Sequence, residues 1–106
     1  MTYNQGFELH PGAASDITSI WEFIADESLQ AAGRVRGDIM EAIRKLVPFP
    51  HQGHHRTELT SRPLLFQTVR SYLIAYAPDA KPLLVVAVLH GRRSPRVIAV
   101  ILQGRE

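Results

Sequence analysis

The seven residues Leu83-Leu84-Val85-Val86-Ala87-Val88-Leu89 constrain this chain more than any other stretch. Successive side chains of a strand point to opposite faces, and here both faces are apolar, which suits the central strand of a sheet. The run is far too short to span a bilayer. Two more runs rich in β-formers come before it, Leu65 to Val69 and Tyr72 to Ala77. Pro78-Asp79-Ala80-Lys81-Pro82 supplies a turn between the second and third runs. Three strands in such close succession predict a meander.

The first half of the chain has a different period. Gln5 to His10 alternates weakly, with Phe7 and Leu9 against Glu8 and His10, and predicts a short strand that His10-Pro11-Gly12 breaks. From Ala13 to Ala25 the apolar residues Ala14, Ile17, Ile20, Trp21 and Ile24 share one helical face. Trp21 is expected in the core, with Asp16, Glu22 and Asp26 on the solvated side. Ser28 fits the N-cap of a second helix, whose apolar side is Ala32, Val35, Ile39, Ala42, Ile43 and Leu46 and which stops before Pro48 and Pro50. Two amphipathic helices with so short a break form an antiparallel hairpin that needs another layer to cover it.

Residues 48–64 are a polar loop punctuated by Pro and Gly. After the third strand, Ser94-Pro95 reads as N-cap and first residue of a terminal helix with Val97, Ile98, Ile101 and Leu102 on its apolar side. The text VIAVIL also fits a strand, and the Ser-Pro start favours the helix. The order β-α-α-β-β-β-α predicts one α+β domain over residues 1–106, a two-helix hairpin packed on a small antiparallel sheet.

Composition removes several classes of function. There is no cysteine, so disulfide scaffolds, thiolate metal sites and cysteine catalysis are excluded. The first residues, MTYNQGFELHPG, lack a basic segment followed by an apolar one, so a cytoplasmic location is expected. No cofactor is implied, and no membrane partner. The charge is unevenly placed: residues 1–53 carry four basic against seven acidic side chains, residues 54–106 eight basic against three acidic. Ten of the twelve basic residues are arginine, whose planar fork suits an interaction surface.

The strands end on a basic knot, His90, Gly91, Arg92 and Arg93, with Arg96 close behind. Arginines at the end of a rigid strand are aimed, the arrangement expected for gripping phosphate or a carboxylate-rich partner. Arg92, Arg93 and Arg96 read either as a contact surface or as a solvated basic turn. His90 reads as a proton carrier beside two arginines or as a turn residue bonded to backbone. Tyr72 and Tyr76 share one strand face, so either one packs against the helices or both face out beside the arginines, where Tyr72 would stack on a base. His51, His54 and His55 have a metal-like spacing but no cysteine or firm carboxylate partner, so no metal site is expected.

Four pieces of local text, in order, carry a family resemblance. They are HPGAASDITSIWEFI in the first helix, AIRKLVPFPHQG at the end of the second, then VRSYLIAY and VLHGRRSP. With the element order, they resemble the RelE/ParE toxins of bacterial type II toxin–antitoxin modules, over nearly the whole chain. The resemblance implies a growth-inhibiting, plasmid-stabilising toxin held in a hetero-oligomer by a cognate antitoxin, itself expected to be acidic. Such antitoxins wrap the toxin with a helix and an extended strand, which the helix hairpin and the sheet edge would receive. Members divide into RelE-like ribosome-dependent mRNA nucleases and ParE-like inhibitors of DNA gyrase.

RNA cleavage needs a base for the 2′-hydroxyl, positive charge at the transition state and a proton donor for the leaving oxygen. RelE-type members carry an arginine after the aromatic residue that opens the middle strand, where this chain has Leu73 after Tyr72. They carry an arginine past the last strand, matched by Arg93 or Arg92, and a later tyrosine that RVIAVILQGRE lacks. The chain therefore stands closer to the ParE-like branch, with binding of a target by Arg70, Tyr72, Arg92, Arg93 and Arg96 and no chemistry of its own. The alternatives are a nuclease built on Arg70, His90 and Arg93, and a degenerate member that retains only antitoxin binding.

Overall fold

The computed structural model describes residues 6–106, in the order β1 (Phe7–Leu9), α1 (Pro11–Ala25), α2 (Leu29–Leu46), β2 (Leu65–Val69), β3 (Tyr72–Ala77), β4 (Leu83–His90) and α3 (Pro95–Gln103). The α+β architecture follows the sequence reading, and the terminal segment is a helix. Gln5, the first residue of the expected first strand, lies outside the described residues. The sheet order is β1-β4-β3-β2, so the apolar run of β4 is central. The meander β2-β3-β4 is antiparallel as expected, but β1 adds to β4 in parallel, Phe7 opposite Leu83 and Leu9 opposite Val85, making the sheet mixed. The intervening helix hairpin carries the chain back over the sheet and permits that parallel return.

Local chemistry sets the helix ends. The expected breaker His10-Pro11-Gly12 is instead the start of α1: His10 Nδ1 accepts the Gly12 N–H at 2.9 Å and Pro11 takes the first position. Ser28 caps α2 by accepting the Ala31 N–H, and Ser94 caps α3 by accepting the Val97 N–H. On α2, Ala32, Val35, Ile39, Ile43 and Leu46 are buried. Each large aliphatic among them contributes about 1.5–3 kcal/mol, so the stripe holds a helix whose outer side is charged. On α1 the buried face is Ala13 and Ile17, with Ile20 and Ile24 packed behind them. Ala14 is exposed, and Trp21 is half-buried and belongs to neither core cluster.

The sheet is covered on both faces. Ile74, Tyr76, Leu83, Val85 and Val88 meet α1 and α2, while Phe66, Leu73, Ala75, Val86, Ala87 and Leu89 meet Leu59, Leu64 and α3. Alternation along β4 fails at one place: Val86 and Ala87 both face α3. The cause is a bulge, since Ala75 pairs with Ala87 and Tyr76 with Val85, leaving Val86 as the extra residue.

Asp16, expected on the solvated side of α1, is turned inward. Its carboxylate accepts the Val88 N–H at 2.9 Å and takes both terminal nitrogens of Arg105, at 2.5 and 2.9 Å. Arg105 also donates to the Val86 carbonyl at 3.2 Å. Because β1 pairs with β4 only through Val85, the next backbone groups of β4 lack a strand neighbour, and this ion pair satisfies them.

Tyr76 is fully buried; its hydroxyl donates to the Pro50 carbonyl at 2.7 Å and accepts the Gly53 N–H at 3.0 Å. Burial raises its pKa above the ordinary tyrosine value, against a smaller lowering by the Gly53 N–H. The unfolded chain therefore releases this proton at lower pH than the folded one, so stability falls as pH rises above about 10. Tyr76→Phe is expected to lose about 1–3 kcal/mol at pH 8. The gap between the two proteins should then narrow at pH 11, and guanidinium unfolding midpoints at both pH values measure it.

Candidate functional site

The two-residue turn Arg70-Ser71 joins β2 to β3, with Val69 opposite Tyr72. Arg70 sits in the left-handed region at φ +53°, which costs a side-chain-bearing residue about 1–2 kcal/mol. From there its Nε donates to Asp38 on α2 at 2.6 Å, an exposed pair whose Coulomb gain is modest. The end of β4 lies alongside this turn. Tyr72 pairs with His90, their rings edge to face at 5.5 Å, and the Gly91 N–H donates to the Ser71 carbonyl at 2.8 Å.

His90 organises the next residues. Its Nδ1 accepts the Arg92 N–H at 3.0 Å and its carbonyl accepts the Arg93 N–H at 3.1 Å. With Nδ1 acting as acceptor, the neutral ring carries its proton on Nε2 and presents a donor, not a base. Ser94-Pro95 then starts α3, whose Ile98 is buried beneath the turn.

These elements enclose a cleft of about 420 Å³. Its floor is apolar, from Leu59, Leu73 and Ile98, and its rim carries Arg56, Arg70, Arg92, Arg93, His90 and Tyr72. Five of the six candidate residues named from the sequence thus lie together: Arg70, Tyr72, His90, Arg92 and Arg93. Arg96 does not line the cleft; it is exposed on the first turn of α3. Tyr72 and Tyr76 both belong to the helix-facing side, Tyr76 wholly buried and Tyr72 half-buried at the cleft edge.

Arg56 is a site residue that sequence reasoning missed. It lies in the polar loop, brought in because Leu59 and Leu64 anchor that loop on the second core. Its Nε donates to Glu58 at 2.8 Å, and this hydrogen bond holds the Glu58 carboxyl below the usual range. The signal available was Leu59 itself, an apolar residue in a polar loop.

The loop histidines lie away from the cleft. His51 Nε2 meets Asp79 at 3.0 Å, and the backbone of His54 pairs with Phe66. No group of three or more His, Cys, Asp or Glu is placed to hold a metal ion among the described residues. No helix among them is long and apolar enough to cross a membrane.

A family model, described as ParE toxin of type II toxin-antitoxin system, parDE, matches residues 7–95. That span runs from β1 to the first residue of α3 and includes every residue lining the cleft except Ile98. No curated protein matches the chain.

Proposed function

The chain belongs to the ParE toxin family of type II toxin–antitoxin systems, and on that premise we propose that it acts by binding a cellular target, DNA gyrase, without chemistry of its own. The carrying observation is the cleft: it gathers positive charge and contains no Asp or Glu and no histidine nitrogen free to act as base. Leu73, where a nuclease of the related branch places an arginine, is buried in the floor. The described residues beyond β4 contain no tyrosine to protonate a leaving group.

The protein partner implied by a toxin–antitoxin family is an antitoxin. Docking of an acidic antitoxin, by a helix over α1 and α2 and a strand at the sheet edge, belongs to the same proposal, as does a cytoplasmic hetero-oligomer. Phe23 and Leu29, 82% and 69% exposed at the hairpin tip, extend the apolar surface available there.

The purified chain is expected to inhibit gyrase supercoiling at micromolar concentration. An Arg92→Ala/Arg93→Ala variant should need about tenfold more protein for equal inhibition. Absence of inhibition, together with mRNA cleavage in a translating extract, would move the function to the nuclease branch. Growth unaffected by expression without the antitoxin would mark a member that only binds its antitoxin.

A further inference from the structure

We propose that the cleft is a phosphate-binding site, taking a nucleotide-sized phosphoester with its sugar and base over the apolar floor. The inference rests on reading the cleft as the contact surface and names the chemistry it takes.

The cleft offers its cations no competing carboxylate. Four arginines and the neutral His90 line it. The two acids closest in the bonding network, Asp38 and Glu58, hold Arg70 and Arg56 from outside the lining. Each does so through the arginine's Nε, leaving the terminal nitrogens without a partner among the described residues. Arg70 and Arg56 are thus held in place while their outer donors stay uncommitted, a preorganised frame. Arg92 and Arg93 have no side-chain hydrogen bond or ion pair of their own among the described residues. His90 adds an N–H donor at Nε2, fixed by the bond at Nδ1.

The form of the space points the same way. The backbone N–H groups of Gly91, Arg92 and Arg93 are all consumed within the turn, so an anion here is held by side-chain forks. Forks of guanidinium match the oxygens of phosphate. A volume of about 420 Å³ lies at the lower end of small-ligand sites. It admits one nucleotide and leaves little room for a folded peptide segment. The floor of Leu59, Leu73 and Ile98 gives the organic part of the ligand an apolar surface.

Two sources carry this chemistry, a free nucleotide and a nucleic-acid strand such as one held by the target. Amide chemical-shift titrations of the isolated chain at low salt separate them, using inorganic phosphate, ADP, a single-stranded DNA octamer and hexaglutamate. Phosphate and ADP are expected to shift Ser71, Gly91, Arg92 and Arg93, with ADP the tighter. Arg92→Ala/Arg93→Ala should weaken ADP and the octamer by about tenfold or more. Arg34→Ala/Arg36→Ala removes equal charge from the exposed side of α2 and should change both less than about twofold. ADP displacing the octamer supports a free nucleotide; an octamer far tighter than ADP supports a strand. Hexaglutamate binding as well as ADP, or equal losses from the two double variants, overturns the site. The titrations contain no gyrase, so a failure here with supercoiling inhibition intact overturns this inference and leaves the toxin reading standing.

Discussion

Asp16→Ala is expected to lower stability by about 3–5 kcal/mol, the cost of leaving one partner of a largely, though not fully, buried ion pair uncompensated. The side chains of Arg105 and Asp16 are only 18% and 13% exposed, so solvent does little to replace the lost carboxylate. The variant also leaves the Val88 N–H of the central strand without its acceptor. For a domain of this length each kcal/mol moves Tm by about 4–8 °C, so Tm should fall by more than about 10 °C. Asp16→Asn keeps an oxygen for Val88 but not the charge for Arg105, and should fall between the two. A double variant, Asp16→Leu/Arg105→Met, removes both charges and should recover much of the loss. Urea midpoints followed by circular dichroism measure all three. A loss below about 1 kcal/mol for Asp16→Ala would place the pair in the weak class of exposed bridges and contradict its role at the end of β4.

That pair also marks the limit of what the sequence discloses. The elements with local causes were legible: Ser28 before α2, Ser94-Pro95 before α3, and the apolar stripe on α2 from Val35 to Leu46. The same holds for the basic knot, which follows a strand whose own pattern is strong. Asp16 was misread because its partners lie 72 and 89 residues away, and helical periodicity assigns a face without knowing what stands opposite. His10 escaped notice as a cap because its ring nitrogen does what Ser, Thr, Asp and Asn do elsewhere. The bulge at Val86 left no trace in LLVVAVL, where a shift of face changes one apolar residue for another. Arg56 came to the cleft through the burial of Leu59, a tertiary event within a loop that is locally only polar. The placing of cleft residues next to regular elements was therefore readable, and that of a residue delivered by a loop was not.

Gly53→Ala is expected to cost about 2–5 kcal/mol, combining overpacking with loss of a buried hydrogen-bond pair. The constraint is space: a Cβ at this position would lie 2.5 Å from the Tyr76 hydroxyl and 2.9 Å from the Phe66 carbonyl oxygen. Its ψ of −177° and φ of −76° are open to any residue, so backbone conformation contributes nothing to the cost. The Phe66 oxygen belongs to a sheet strand and cannot retreat without disturbing its bonding to His54. The methyl must therefore displace the Tyr76 hydroxyl, and with it the bonds to the Pro50 carbonyl and the Gly53 N–H. The loop that follows α2 loses its tie to Tyr76, leaving Leu59 and Leu64 to anchor it, and that loop carries Arg56. Adding Tyr76→Phe removes the nearer obstacle and leaves the Phe66 contact, so the double variant should be less destabilised than the sum of the two single ones by about 1–2 kcal/mol. Thermal unfolding of the four proteins closes this cycle. Strict additivity would show that the methyl strains against Phe66 alone and that the Tyr76 hydroxyl does not hold the loop in place.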